Sequence, residues 1–96
     1  MELTELVRIR LRVKSKDFDE GEISPLILAA QADLKRVGIS LKEDDPLFKQ
    51  AIVLYCKANF GYSEDADKFK AAYEGLRDSL ALSVSYGKEE SGNEVR

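Results

Sequence analysis

Between Val7 and Lys16 the chain interleaves basic and apolar residues. Arg8, Arg10, Arg12, Lys14 and Lys16 alternate with Val7, Ile9, Leu11 and Val13. Cations this dense in sequence could touch DNA phosphates or an acidic partner surface. The competing reading is a solvated face, because Asp17 and Asp19 follow at once. This run is the one local charge anomaly in a chain whose formal net charge is -3. That overall balance does not mark the chain as a nucleic-acid binder.

Other chemistry is sparse. Cys56 stands alone, so no internal disulfide can form. It falls mid-helix among Leu54, Tyr55 and Ala58, where a thiol serves as a small buried hydrophobe. No histidine is available to activate it as a nucleophile, or to join it around a transition metal. Carboxylates cluster at Asp17, Asp19, Glu20 and Glu22, and again at Glu43, Asp44 and Asp45, without the spacing of a calcium loop. They precede helices, where the helix dipole favours negative charge. Tyr55, Tyr62, Tyr73 and Tyr86 offer hydroxyls, but Tyr55 and Tyr73 fall on apolar stripes, which suits packing with a wet hydroxyl. The glycines are isolated and form no phosphate loop. An enzyme is not expected, and neither is a cofactor.

The elements that must position these residues are read from periodicity. Ninety-six residues with a hydrophobic fraction of 44% make one domain with a modest core. No stretch approaches the roughly 20 apolar residues that span a bilayer. The N-terminus lacks an apolar signal-peptide region, so a cytoplasmic site of synthesis and no membrane partner are expected.

Thr4 can cap a first helix with Glu5 in its first turn. Residues 7–13 fit two patterns: the alternation is that of a strand, whereas Leu3, Leu6, Val7 and Arg10 fit a helix. A strand would put four cations on one face; a helix would scatter them. Ser15 to Ile23 reads as a charged loop. Ser24-Pro25 then gives an N-cap and a proline in the first turn, with a start one turn earlier as the alternative. The second helix carries Leu26, Ala30, Leu34 and Val37, widened by Ile27 and Leu28, and stops at Gly38. Asp45-Pro46 repeats the starting signature for a third helix to Phe60.

Gly61 ends that helix, Ser63 is a possible cap, and a fourth helix runs from about Glu64 to Leu82. Ala66, Phe69, Tyr73, Leu76 and Leu80 form its apolar stripe. Gly75 lies inside it, either tolerated or admitting a close helix neighbour. The fold expected is all-α: three to four amphipathic helices in a domain spanning residues 1–86, with an αα-hairpin in its C-terminal half. The expected core is Leu26, Ala30, Leu34, Ala51, Leu54, Tyr55, Phe69, Tyr73, Leu76 and Leu80. The polar, aperiodic residues 87–96 are expected to be a disordered tail.

The order and texture of these segments resemble the head–tail connector family of tailed bacteriophages and prophages. The resemblance covers about Leu3 to Ser83. It is carried by AAQADLKRVGI, by the helix end AIVLYCKANFG and by the closing YEGLRDSLALS. These are packing signatures. The strand-like VRIRLRV departs from the family pattern, which has a helix there.

The resemblance implies a small non-enzymatic helical adaptor at the virion head–tail junction. It implies a homo-oligomeric ring, following the portal's twelvefold symmetry, beneath the portal protein. Such a ring extends the DNA conduit and receives a head-completion or tail protein below. Some relatives carry a DNA-packaging label. On this reading Arg8, Arg10, Arg12 and Lys14 are candidates for subunit contact or for transient, non-specific contact with passing DNA.

A head-to-tail ring needs two different patches on each subunit. The basic run and the acidic run Asp17 to Glu22 could supply them. A small helical DNA-binding or regulatory protein is the alternative. Against it, the last helix opens with SEDADKFK, whose early acids do not suit a recognition helix.

Overall fold

The computed structural model describes residues 2–39, 44–61 and 64–82. Four α-helices make up most of it: α1 (Leu3–Arg10), α2 (Ser24–Arg36), α3 (Pro46–Asn59) and α4 (Ala66–Leu82). No strand occurs among the described residues, and the all-α expectation holds. The expected cap at Ser63 and the tail at residues 87–96 lie outside the described residues.

α3 is the axis of the domain. Its start is set by Asp45, whose carboxylate accepts from the Leu47 and Phe48 amides at 2.8 and 3.3 Å. Pro46 follows at the first helical position, as its fixed φ favours. Phe48, Ala51, Ile52, Val53 and Cys56 are all buried. They leave the helix at several angles, so α3 packs against α1, α2 and α4 in turn. α4 folds back along α3 as the expected hairpin, burying Tyr73 and Leu80. The turn between them begins at Gly61, with φ +61°.

The ambiguity at residues 7–13 resolves as helix up to Arg10. Leu3 and Leu6 pack on the core and Val7 is wholly buried, a helical spacing. Ile9, which a strand would place on the same face as Val7, is half exposed. The N-cap of α1 is Glu2, with no side-chain cap bond, so Thr4 lies inside the helix rather than capping it.

The expected loop at residues 15–23 is instead helical. Ser15 Oγ accepts from the Asp17 amide at 3.0 Å and opens a short 3-10 turn, Lys16–Phe18. A π-helical turn, Asp19–Ile23, follows and runs directly into α2. The Ser24 amide donates to the Asp19 carbonyl, so Ser24 continues a helix instead of capping one. The earlier start is the correct one, and the reason is Ile23, which is wholly buried in the core. One apolar residue among acids leaves too faint a periodic signal to find this turn.

The expected core is partly right. Ala30, Leu34, Ala51, Tyr73 and Leu80 are buried, while Leu26, Leu54, Tyr55 and Leu76 sit at its margin. Val7, Ile23, Ile27, Ile39, Phe48, Ile52, Val53 and Cys56 complete it. Leu28 points outward at 66% exposure. Phe69 is outside the core cluster. A Cβ at Gly75 would meet nothing within 4 Å, so this glycine is tolerated and makes no close approach.

Candidate functional site

The four basic candidates are divided by helical spacing within α1 and by the way that helix ends. The Arg12 amide donates to the Ile9 carbonyl at 3.0 Å, and the Val13 amide reaches back to the Arg8 carbonyl at 3.1 Å. These two bonds close the last turn around a residue in the left-handed region, the position glycine usually fills. Here it is Arg12, with φ +64°, the one non-glycine residue with positive φ among those described. The chain reverses there and spreads the cations over different surfaces.

Arg8 faces inward. Its Nε lies 3.2 Å from Asp19 Oδ1, joining α1 to the π-helical turn, and both side chains are mostly covered. The two atoms lack hydrogen-bond geometry, so the attraction is coulombic. Arg10 and Arg12 instead reach an open hollow of about 480 Å³. Its other walls are Leu11, Lys57 and Phe60, Gly61 and Phe69. Lys57 Nζ stands 5.2 Å from the centre of the Phe69 ring, a cation–π distance. Among the described residues, no carboxylate lies within 4.0 Å of Arg10, Arg12 or Lys57. Lys14 is exposed and lies outside the hollow. The structure thus joins two of the four sequence candidates and adds Lys57, Phe60 and Phe69.

A second cluster lies between α2, α3 and α4. Asp33 Oδ2 accepts from the Tyr73 hydroxyl at 2.6 Å and from Arg77 Nη1 at 3.1 Å. Asp33 Oδ1 accepts from Arg36 at 3.1 and 2.6 Å. Burial pushes the Asp33 carboxyl up, but the bonds from Tyr73, Arg36 and Arg77 outweigh it and leave it below the ordinary 3.8. Burial, and then the bond to Asp33, push the Tyr73 phenol up. The Tyr73 ring meets Tyr55 edge-on, with centroids 5.2 Å apart. A cleft of about 300 Å³ lies alongside.

Both oxygens of Asp33 are engaged, and its bonds to Tyr73 and Arg77 fasten α2 to α4. Cys56 is buried, and desolvation pushes its thiol up to about 12, far from a reactive thiolate.

No single-sequence signal could have found the second cluster. Asp33 and Arg77 are separated by 44 positions, and each reads as an ordinary surface charge. The hollow left a partial trace: Lys57 in the last turn of α3 and Phe60 just past its end are three positions apart, but their meeting with Arg10, Arg12 and Phe69 is tertiary.

Among the described residues, no helix is long and apolar enough to cross a membrane, and no group of three or more His, Cys, Asp or Glu could hold a metal ion. A family model described as phage connector protein matches residues 5–87. No curated protein and no solved structure matches the chain.

Proposed function

Because the chain belongs to the phage connector protein family, we propose that it is a head–tail connector, forming a closed ring beneath the portal vertex. In this reading it extends the DNA conduit and presents a platform to the next head-completion or tail protein. It has no catalytic step. The observation that carries the proposal is the family match across residues 5–87, which covers α2, α3 and α4 and all but the first two residues of α1. The side-chain chemistry supports it. The thiol is buried, the Asp33 network is consumed in packing, and Arg10, Arg12 and Lys57 line one open hollow.

The DNA-facing role suggested for the basic run narrows. Arg8 is held by Asp19 and is not available for it. Any contact with passing DNA must be weak, phosphate-directed and salt-sensitive, since base-reading contacts would impede sliding.

Complementation of a phage deleted for the gene tests the proposal. Without the protein, DNA-filled or leaking heads and separate normal tails should accumulate. Purified protein mixed with portal should yield closed rings by electron microscopy. Heads that still join tails in the deletion would reject the connector role.

A further inference from the structure

The hollow beside the end of α1 combines cations with aromatic walls. Arg10, Arg12 and Lys57 supply three cations, and Phe60 and Phe69 supply aromatic walls. Among the described residues, no acidic one lines it. Arg12 is held there in a left-handed conformation that glycine would adopt without strain. Backbone strain retained at an exposed cation is the pattern of a binding position.

The chain itself shows what the neighbouring surface accepts. Phe18 meets Phe60 edge-on, with centroids 6.0 Å apart. The next residue, Asp19, pairs with Arg8 at 3.2 Å. An acidic segment with one aromatic side chain thus engages the aromatic residue just past α3 and one arginine of α1. The hollow repeats that chemistry at the C-terminal end of α1, with Arg10 and Arg12 beside Phe60 and Phe69. We propose that it is the docking site for an acidic segment, bearing an aromatic or large apolar side chain, supplied by a different protein of the connector assembly. This rests on the connector reading and names the chemistry of one partner surface.

Duplex DNA fits less well. A phosphate backbone is tracked by a row of cations, and no such row forms, because Arg8 is paired and Lys14 lies elsewhere. A concave, aromatic-walled hollow favours a side chain. A second copy of the chain fits less well too, since its own Phe18 and Asp19 are already engaged.

The test is titration of the full-length isotopically labelled protein, followed by amide NMR, with a synthetic peptide of sequence SKDFDEGEI as the chemical probe. Shifts should concentrate at residues 10–12, 57–61 and 69. The affinity should fall about tenfold or more when the peptide acids are changed to amides, and should fall again with added salt. Phe18→Ala in the peptide should also weaken it. In the protein, Arg10→Glu and Phe69→Ala should abolish the shifts. Arg12→Gly keeps the helix ending intact and should weaken binding in a fully folded protein.

Peptide binding indifferent to these variants would overturn the proposal. So would tighter binding of a short DNA duplex at the same residues. Binding seen only after truncation at Tyr86 would assign the hollow to the chain's own C-terminal segment. Self-association abolished by Arg10→Glu would assign it to a second copy. In phage complementation, normal joining by an Arg10→Glu, Arg12→Glu variant would reject the docking site and leave the connector role standing. Failure of the wild-type chain to complement would reject the connector role, while the titration still judged the hollow.

Discussion

α1 and α2 end with the same hydrogen bonds and opposite side chains. At α2, the Gly38 amide donates to the Lys35 carbonyl and the Ile39 amide to the Leu34 carbonyl, both at 3.0 Å. Gly38 takes the left-handed position with φ +89°, and Leu34 and Ile39 are both buried. At α1 the left-handed residue is Arg12, and the exposed side chain lines the basic hollow. The α2 ending follows the preference for glycine and an apolar contact across the last turn. The α1 ending gives up both and gains a cation. One terminus serves the core and the other serves the surface.

The largest expected effect is at the α2 terminus. Leu34→Ala should destabilise by about 2–5 kcal/mol, the range for a fully buried leucine, read as a fall in urea midpoint. Leu76, only half-buried, should lose less on the same change. If Leu76→Ala proved the worse, the core would centre on α4 instead.

Asp33, one residue before Leu34, comes next. Asp33→Asn should cost about 1–3 kcal/mol by weakening its bonds to Tyr73 and Arg77. The pH dependence has a definite sign. The folded carboxyl lies below its ordinary 3.8. Its contribution is therefore present above that value and is lost as pH falls through the folded pKa. The difference in urea midpoint between wild type and Asp33→Asn should be full at neutral pH and should close below pH 3.8. A difference independent of pH would make Asp33 a packing residue only.

Two smaller changes sharpen the contrast directly. Gly38→Ala should destabilise by about 1 kcal/mol, because a Cβ is disfavoured in the left-handed region. Arg12→Gly should do the reverse. Relief of about 1–2 kcal/mol of left-handed strain outweighs the roughly 0.5–1 kcal/mol of extra unfolded-state entropy that glycine brings. A net gain of about 0.5–1 kcal/mol is expected in thermal unfolding. If both substitutions destabilised, the arginine side chain would be contributing packing that the α1 ending needs.

The helices whose ends carry strong local chemistry were legible. Asp45-Pro46, Gly38 and Gly61 punctuate the chain through local backbone energetics, which a sequence displays. Two kinds of feature were not. The 3-10 and π-helical turns before α2 owe their form to Ile23 entering the core, and a lone apolar residue has no period. The groupings around Asp33 and around Arg10 depend on which helix faces meet, and the faces of Asp33, Lys57 and Arg77 carry no mark of that. The basic run illustrates both sides. Its charge was visible, but its division among an ion pair, a hollow and open solvent follows from the helical spacing of Arg8 and Arg10 and from a reversal at Arg12 that residue type argues against.

That reversal has a consequence at the level of the gene. Every arginine codon becomes a glycine codon by a change at its first base. A more relaxed ending for α1 is thus one nucleotide away, whichever codon position 12 uses. Mutational inaccessibility cannot explain why an arginine occupies it. Stabilising replacements are common near a functional optimum and are passed over when the original side chain has work outside the fold. Position 12 is thus a place to compare variants of this gene for changes in what the protein meets, independent of how firmly it folds.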